Sequence, residues 1–361
     1  MRLLVMAAGP ISHLPNLRFR FLPYLPYLAK EGYRLDFQPF LTGEEYEQFY
    51  RLDASYLSKA IIVSRATLRL FRAPSPQNYQ GFIVAREATF LGTSYLERRW
   101  AAHLPMLLDF DDAIWLPAVS AQNRLFRWLK NPRKIHTLLS LARAVLVCNE
   151  FLAAYARHYH DKVYVIPTIV DTQRFQPILR SPRPYVVIGW TGSPTTAPYL
   201  HLVENVLAEI HRMYRERVRF LLIGAMPYQP PFPAQVVPWS SEREVRLLQE
   251  IDIGIMPLPE DEWSRGKCAL KAIQYMAVGI PSVVSPVGMN REVIQEGQTG
   301  FFASTPEEWI TQLRRLIEDP DLRQRMGRAA RQTAEKRYSA PANFPYLLSI
   351  LRDTFGSTTP S

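Results

Sequence analysis

The sequence predicts an α/β protein made of two doubly wound domains, each a parallel sheet flanked by helices. Short β-branched runs alternate with amphipathic segments of helical length, which is the pattern of βαβ units. The alternation is interrupted once, at a proline-rich stretch near the middle of the chain, and then restarts. A length of 361 residues is that of two domains of ordinary size.

The first half of the chain contains short runs rich in valine, leucine and isoleucine, which predict strands. They cover residues 2–6, 33–40, 81–85, 105–109, 144–147 and 163–166. Amphipathic stretches at 18–31, 57–71 and 151–160 predict helices between them. Residues 1–10 superficially resemble a short signal peptide. Because their apolar run passes directly into Gly9-Pro10, a buried first strand is the better interpretation.

The second half repeats the scheme. The predicted strands are residues 185–190, 218–223, 235–237, 252–256 and 282–285. The predicted helices are residues 198–215, 242–251, 267–278, 290–295, 306–318 and 321–338. Three prolines between residues 176 and 184 forbid regular structure and predict a linker at 177–184. The expected domains are therefore 1–176 and 185–339, and the tail 356–361 is expected to be disordered.

Composition excludes several classes of protein. Apolar residues make up 47% and charged residues 21%, as in a globular chain, and no uncharged apolar run is long enough to span a bilayer. Two cysteines, Cys148 and Cys268, cannot form a disulfide framework or a cysteine-rich zinc site, so the reducing cytosol is expected. The net charge of +10 favours an anionic partner: nucleic acid, anionic lipid or a phosphorylated small molecule.

The densest group of candidate functional residues lies between the strand predicted at 252–256 and the helix predicted at 267–278. Gly266 stands where that helix is predicted to begin, and the first amides of a helix attract anions such as phosphate. Lys267 and Lys271 are four residues apart, so both would lie on one face of the helix near that end. The alternative is a pair of solvated surface lysines. Gly279 is a good C-terminal cap.

A second candidate loop follows the strand predicted at 185–190. Gly192 permits close approach of the backbone, and the hydroxyls of Ser193, Thr195 and Thr196 could bind phosphate oxygens or cap the next helix. The loop contains neither a dinucleotide-binding fingerprint nor a P-loop. The loop therefore argues against a nicotinamide-dependent enzyme and against an ordinary NTPase.

A third candidate is the acidic run Asp109-Phe110-Asp111-Asp112 after an apolar strand. Asp109 and Asp111 alternate onto one face and could share a divalent cation. Close carboxylates can instead have raised pKa values for acid–base work, or can accept hydrogen bonds from loop amides or a substrate. His13 lies in the loop after the first predicted strand, as a structural or a cleft residue. The chain lacks the spaced histidines of zinc hydrolases and the Gly-x-Ser-x-Gly of serine esterases.

Three segments resemble retaining glycosyltransferases of the GT-B fold, family 4. They are Ile166-Pro167-Thr168-Ile169-Val170-Asp171, continuing to Pro177; residues 252–257 with Gln274-Tyr275-Met276-Ala277-Val278-Gly279-Ile280-Pro281; and Ser285-Pro286-Val287-Gly288, continuing to Phe301. The resemblance covers about residues 80–340 well, and the segments together are more specific than any one of them.

The resemblance implies a GT-B architecture, with two Rossmann-like domains facing a central cleft. The first would bind the acceptor and the second a nucleotide-diphosphate sugar, while a final helix at 340–355 packs back on the first. The donor diphosphate is held without a metal ion, so no cofactor is expected. Carried over by position, the donor-binding residues are Gly192, Ser193, Thr195, Gly266, Cys268, Ala269 and Gln274. Lys267 and Lys271 would stabilise the leaving diphosphate, and Asp111, Asp112 and His13 would position the acceptor.

The chain departs from that family where two glutamates normally stand eight positions apart, since Gly266 and Gln274 occupy those positions. The usual Arg…Lys pair is also missing from residues 192–198, and Thr168-Ile169 replaces asparagine-glycine. The prediction is a transferase acting on a glycan or lipid-linked acceptor in polysaccharide biosynthesis. The rivals are a GT-B epimerase or phosphorylase, a non-catalytic nucleotide-sugar-binding protein and, from charge alone, a nucleic-acid binder, for which no recognition helix is visible.

A membrane contact is a further hypothesis, because many transferases of this family work on lipid-linked acceptors at the cytoplasmic membrane face. Residues 16–25 interleave arginine with aromatic side chains, which suits an anionic lipid surface. The preferred alternative is an ordinary first helix whose apolar face lies in the core. The expected location is therefore the cytoplasm, with peripheral binding to the inner face of the plasma membrane.

Overall fold

The computed structural model describes residues 1–51, 54–70, 75–116, 131–179 and 183–356. The chain divides into two compact units: unit 1 is Met1–Pro167 with Asn343–Ser361, and unit 2 is Thr168–Ala342. Parts of the predicted linker (180–182) and of the predicted tail (357–361) lie outside the described residues.

Unit 1 is built on a six-stranded sheet in the order β2-β1-β3-β4-β5-β6, with every neighbouring pair parallel. The strands are β1 (Arg2–Ala7), β2 (Arg34–Pro39), β3 (Gly81–Ala85), β4 (Met106–Phe110), β5 (Ala144–Val147) and β6 (Val163–Val165). The central strands are buried along their whole length. Strands covered on both faces must be continuously apolar, which explains the runs seen in the sequence.

In the part of unit 1 that the structure describes, seven α-helices lie between these strands. They are α1 (Pro15–Arg20), α2 (Leu25–Lys30), α3 (Gly43–Tyr50), α4 (Tyr56–Leu70), α5 (Tyr95–Ala101), α6 (Lys134–Leu141) and α7 (Glu150–Arg157). The single helix predicted at 18–31 is wrong. Pro23 and Pro26 lack the amide hydrogens that a continuous helix needs there, so α1 and α2 are separated by a 3₁₀ turn at Leu22–Tyr24.

Unit 2 contains a second six-stranded sheet, in the order β12-β11-β10-β7-β8-β9, again with all pairs parallel. Its strands are β7 (Val186–Thr191), β8 (Val218–Ile223), β9 (Gln235–Val237), β10 (Ile253–Met256), β11 (Ser282–Val284) and β12 (Gly300–Phe302). Its helices are α8 (Glu204–Tyr214), α9 (Glu244–Leu248), α10 (Glu262–Arg265), α11 (Leu270–Ala277), α12 (Asn290–Val293), α13 (Pro306–Glu318) and α14 (Pro320–Arg337).

The predicted fold class is confirmed, and a strand is present at every position where the sequence predicts one. The short β12 was not predicted, because three residues carry too little pattern. The helix predicted at 198–215 is divided: a 3₁₀ segment covers Ala197–Leu202 before α8 begins.

The boundary between the units lies at Pro167–Thr168 and not at the predicted 176. Residues after Pro167 are held by unit 2: the amide of Val170 donates to the carbonyl oxygen of Tyr338 at 2.9 Å. Arg331 of α14 also donates to the carbonyl oxygen of Thr172 at 2.8 Å and to that of Phe175. These contacts come from distant parts of the chain, so the proline cluster alone could not locate the boundary.

The last helix, α15 (Ala340–Phe355), contributes its larger part to unit 1. Arg352 forms an ion pair with Glu31 at 2.9 Å, and Asp353 accepts hydrogen bonds from Lys162 and from the Tyr164 hydroxyl at 3.0 and 2.9 Å. The ring of Phe355 lies where a Cβ atom on Gly81 would stand, so only glycine fits at the start of β3 beside this helix.

Most of the stretch 16–25 is buried, although Leu22 is 39% exposed. Every residue of 16–20 is buried, and Arg20 is only 5% exposed. Its guanidinium contacts the Asp109 carboxylate at 2.6–2.9 Å through Nε and Nη2, and Nη1 donates to the carbonyl oxygen of Ile166 at 2.9 Å. The burial of both arginines favours the alternative that these residues form an ordinary first helix whose apolar face lies in the core. Among the described residues, no helix combines the length and apolarity needed to cross a bilayer.

The ion pair between Arg20 and Asp109 gives a first prediction. Arg20→Met leaves a buried carboxylate unpaired, so the free energy of unfolding should fall by about 3–5 kcal/mol. Arg157→Met removes an exposed ion pair with Glu150 and should change it by less than about 1 kcal/mol. Urea denaturation of both variants measures the difference. Equal losses would show that the Asp109 carboxylate does not depend on Arg20.

Candidate functional site

The strand order of unit 2 reverses between β7 and β10, which is where ligands of open α/β sheets bind. These strands pair only at Ile188–Ile253 and Gly189–Gly254, although both continue further. Beyond that point the space between them is filled by the side chain of Tyr275 from α11. A Cβ atom on Gly254 would lie 2.4 Å from its ring, so glycine is required beside it.

The Tyr275 hydroxyl supplies hydrogen bonds that the two strands no longer give each other. It accepts from the amide of Thr191 at 3.1 Å and lies 3.4 and 3.3 Å from the carbonyl oxygens of Gly189 and Ile255. Burial raises the pKa of this phenol well above its ordinary value, so the hydroxyl keeps its proton and remains a donor.

The loop after β7 is organised by its own side chains. The amide of Ser193 donates to Thr196 Oγ1 at 3.1 Å, and the amide of Thr196 donates to the carbonyl oxygen of Ser193 at 2.9 Å. Ser193 Oγ and Thr195 Oγ1 are 2.8 Å apart. Thr196 does not cap the following helix with its side chain. The hydroxyls therefore close the loop on itself.

Trp190 contacts both this loop and Lys271. A Cβ atom on Gly192 would lie 2.2 Å from Cη2 of the Trp190 ring, so the glycine backbone rests directly on the indole. Lys271 Nζ lies 5.3 Å from the centre of the same ring, within range of a cation–π interaction. Lys271 and the Gly192 backbone thus both contact the Trp190 ring, next to the point where the strand order reverses.

The start of α11 differs from the predicted helix at 267–278. Asp261 caps the short α10, its carboxylate accepting from the amide of Ser264 at 2.7 Å, and Gly266 ends that helix with an ordinary negative φ of −71°. The helix α11 begins only at Leu270. Lys267 therefore precedes α11, and the prediction that Lys267 and Lys271 share one helix face is wrong.

Ala269 allows the chain to turn into α11. Its φ of +52° lies in the left-handed region, where a residue with a Cβ atom is strained. Ala269 and Cys268 are both buried, with exposed fractions of 1% and 7%. Lys267 Nζ lies 5.2 Å from the centre of the Trp263 ring. The two lysines thus rest on different tryptophans, on either side of the left-handed residue.

Gln274, predicted to contact the donor, is buried against an acidic side chain that the sequence analysis did not select. Its amide nitrogen donates to Glu244 Oε1 at 3.0 Å. The same oxygen accepts from Trp239 Nε1 at 3.1 Å, and Arg174 Nη2 lies 3.9 Å from Glu244 Oε2. Because a carboxylate only accepts hydrogen bonds, Glu244 fixes which way the Gln274 amide points.

In unit 1 the acidic run after β4 meets Arg86, which follows β3. Arg86 Nε donates to Asp111 Oδ1 at 2.5 Å, and Nη2 lies 2.6 Å from Asp112 Oδ2. Arg86 has a φ of +64°, and its amide donates to the carbonyl oxygen of Asp109 at 2.6 Å. Non-glycine residues in this conformation are uncommon and cluster at functional sites.

Burial raises the pKa of Asp109, although the Arg20 guanidinium opposes that shift, whereas the pKa of Asp111 is lowered. Burial alone would raise the pKa of Asp111, but the Arg86 guanidinium outweighs it and the pKa lies below its usual range. Burial likewise opposes the charge on Arg20, while Asp109 raises the pKa of that guanidinium. The pair expected to share a cation, Asp109 and Asp111, is thus divided between two arginines, and an acid with a raised pKa at Asp111 is excluded.

His13 lies in the turn after β1, in contact with α3. Its Nε2 is 3.2 Å from Glu47 Oε1 and its Nδ1 is 2.8 Å from Ser12 Oγ, while its ring centre is 5.2 Å from that of Tyr46. In unit 1 the strand order reverses between β1 and β3. His13 and Arg86 therefore follow the two strands that border this point.

Arg86, Trp190, Glu244 and Tyr275 were not predicted as site residues. Arg86 and Trp190 carry a usable signal, because each adjoins the carboxyl end of a predicted strand. Tyr275 stands within a motif already quoted, but nothing in that motif shows that its hydroxyl bonds the backbone of β7. Glu244 lies thirty residues from Gln274, and no spacing rule connects them.

Comparison with known proteins identifies relatives at this point. Residues 186–319, which include all six strands described for unit 2, match the sequence profile of the family described as glycosyl transferases group 1. The chain is 24% identical over 239 residues to the sulfoquinovosyl transferase SQD2 of Arabidopsis thaliana, covering 58% of this chain and 45% of that one. It spans less than half the length of the curated relatives it matches.

Solved structures match almost the whole chain in fold. Sucrose-phosphate synthase of Thermosynechococcus elongatus superposes with a TM-score of 0.70 at 15% identity, covering 99% of both chains. The Anabaena protein HepE, solved in complex with UDP-glucose, superposes with a TM-score of 0.68 at 14% identity, covering 97% of this chain and 99% of that one. The two-unit architecture is that of GT-B glycosyltransferase structures.

The strained residue before α11 gives the second prediction. Ala269→Gly relieves a left-handed Cβ, worth about 1 kcal/mol, and this offsets the loss of one buried methyl group. The free energy of unfolding should therefore stay the same or rise. Ala272→Gly, in the same helix with helical geometry, should lower it by at least about 1 kcal/mol. Urea denaturation compares the two; equal destabilisation would contradict a left-handed Ala269.

Proposed function

We propose that this protein is a family 4 glycosyltransferase that moves a sugar from a nucleotide-diphosphate sugar to an acceptor hydroxyl, with retention of configuration. The observation that carries the proposal is the contact of the Gly192 loop and of Lys271 with one indole, that of Trp190. A close-approaching backbone and an ammonium group both contact this ring, next to the switch point of a doubly wound sheet. A diphosphate is the ligand that this combination suits best.

The donor site proposed on unit 2 needs no metal ion. Lys267 and Lys271 supply two positive charges, and the first amides of α11 point toward the same end of the helix. Gly192, Ser193 and Thr195 border the phosphates, Gly266, Cys268 and Ala269 form the backbone between the lysines, and Gln274 contacts the nucleoside. Two relatives support the same donor class, because SQD2 is a sulfoquinovosyl transferase and HepE was solved in complex with UDP-glucose.

The proposed reaction is a front-side displacement. The bond between the anomeric carbon and the diphosphate oxygen breaks as the acceptor oxygen bonds to the same face of that carbon. The acceptor proton leaves with the departing phosphate oxygen. Negative charge grows on the diphosphate during this step, so the fixed charges of Lys267 and Lys271 stabilise the transition state more than the bound donor.

On unit 1, Asp111 and Asp112 are proposed to accept hydrogen bonds from the acceptor, with His13 as a further contact. Because the pKa of Asp111 is lowered, it stays a hydrogen-bond acceptor across the neutral range and takes no proton permanently. Arg86 is proposed as the positioning residue that holds both carboxylates. The acceptor class proposed is a glycan or a lipid-linked sugar of polysaccharide biosynthesis, at the inner face of the plasma membrane.

A second candidate function is a nucleotide-sugar-binding protein without catalysis. It is favoured by the contact between Gln274 and Glu244, which engages the side chain standing in place of a family glutamate. Saturable binding of a nucleotide sugar, with no released diphosphate across many acceptors, would support this alternative and contradict the transferase.

Thermal unfolding with UDP, GDP, ADP and their common sugars tests the donor site, first in EDTA and then with magnesium. A ligand at 100 times its dissociation constant adds about 2.7 kcal/mol, which raises the melting temperature by a few degrees. A shift with one diphosphate in EDTA is the expected result. A shift only with magnesium would contradict the metal-free site, and no shift at all would contradict donor binding.

The lysines give the third prediction. Lys267→Ala and Lys271→Ala should each lower the transfer rate by about 10²–10³-fold, because each removes a charge aimed at the leaving diphosphate. Both should also abolish the thermal shift with the diphosphate. Lys336→Ala, on the exposed end of α14, is the matched control and should change neither. Unchanged kinetics in a lysine variant would remove that lysine from the site.

The fourth prediction concerns Arg86. Arg86→Lys keeps the charge but cannot hold two carboxylates, so the KM for the acceptor should rise by about tenfold or more while donor binding stays unchanged. Arg69→Lys alters an ion pair with Glu45 and should leave both unchanged. Steady-state kinetics and the diphosphate thermal shift separate the two effects. An acceptor KM equal to that of the wild type would contradict a positioning role.

A further inference from the structure

Within the described part of the chain, the helix α4 is apolar on two sides, and one of them packs in the core. The residues facing the core include Ile62 and Ala66, which are 6% and 0% exposed and pack with Phe40 and Phe49. The opposite side carries Leu57, Ile61 and Leu68. At 3.6 residues per turn these three fall within a narrow stripe along one face of the helix. We call them the α4 stripe.

The exposure of the α4 stripe is unusual for a surface. Leu57 is 72%, Leu68 65% and Ile61 43% exposed. Single exposed leucines are common on proteins, but these three are aligned on one face of one helix, with the exposed Ser64 between Ile61 and Leu68. An amphipathic helix normally turns one apolar face inward, whereas α4 has a second one in contact with solvent. The second face predicts an apolar partner.

Charge identifies the class of that partner. The helix α4 contains no aspartate or glutamate and has three basic residues. Lys59 is buried against the Phe49 ring, and Arg69 pairs with Glu45 at 2.6 Å. Arg65, exposed beside the α4 stripe, presents its charge outward. An apolar strip flanked by a cation, on a chain of net charge +10, fits an anionic lipid surface.

The size of the strip also favours a bilayer over a protein. Three aliphatic side chains expose at most a few hundred Å², while a stable protein interface needs about 800 Å² from each partner. Insertion into the headgroup region needs no matching surface, because lipid chains adapt to whatever enters. We propose that the α4 stripe is the surface through which this protein binds an anionic membrane. The inference rests on the proposed function only in placing the chain at a membrane.

Vesicle sedimentation of the full chain tests the proposal. The probes are phosphatidylcholine vesicles and vesicles with about a third phosphatidylglycerol. The wild type should bind the anionic vesicles, and Leu57→Ser with Leu68→Ser should lower the partition coefficient by at least about tenfold. Arg65→Glu should also weaken binding, and the difference from the wild type should become smaller as the salt concentration rises. Leu202→Ser is the matched control: this leucine of unit 2 is 51% exposed, and its variant should bind as the wild type does.

Three outcomes would overturn the proposal. One is wild-type protein that binds neither kind of vesicle, and another is a double variant that partitions as the wild type does. The third is a wild-type dimer in analytical ultracentrifugation that the double variant converts to monomer, because the α4 stripe would then be an interface between copies. The diphosphate thermal shift, measured on the same samples, reports the proposed donor site separately. If the diphosphate causes no thermal shift in the wild type, that result contradicts the proposed function and leaves the membrane proposal standing.

Discussion

Tyr275 places one hydroxyl at the point where β7 and β10 stop pairing, and the candidate donor site depends on that contact. The hydroxyl takes the place of a ladder hydrogen bond by accepting from Thr191, so β7 can leave its neighbour without an unpaired buried amide. Gly254 makes room for the ring. The strands separate there, and α11, which carries Tyr275, is fixed under the opening. Lys271 is fixed with it, because it lies on the same helix four residues earlier.

In unit 1, buried ion pairs fix the positions of elements at the carboxyl edge of the sheet. Arg20 and Asp109 join α1 to the end of β4, while Lys134 of α6 contacts Glu97 of α5 at 2.9 Å and the carbonyl oxygen of Thr89 at the same distance. Such pairs contribute little net stability compared with apolar packing, but breaking one is expensive. They therefore fix loops at the carboxyl edge of the sheet in one arrangement. Arg86 pairs with two carboxylates at the same edge, and its side chain is more exposed than those of Arg20 and Lys134.

How far the sequence predicted the structure depended on whether a feature was local. The buried strands were predictable, since a strand covered on both faces must be a continuous apolar run. Pro23 and Pro26 carry a signal for the break between α1 and α2, although a single helix was predicted there. The left-handed Ala269 could not be predicted, because alanine carries no signal for a positive φ. Glu244 and Gln274 meet only through the tertiary fold, and the unit boundary depends on Arg331, far along the chain from the carbonyl groups it binds.

The division of the chain into units bears on the order of folding during synthesis. Unit 2 is one continuous segment, whereas unit 1 takes its last helix from residues beyond unit 2. A ribosome therefore releases all of unit 2 before unit 1 has its final helix. Until then the face of unit 1 that receives Phe355 is open to water, with a glycine at the start of β3 in place of a side chain. Nascent unit 1 is thus the part of this protein for which a chaperone has the longest opportunity to act.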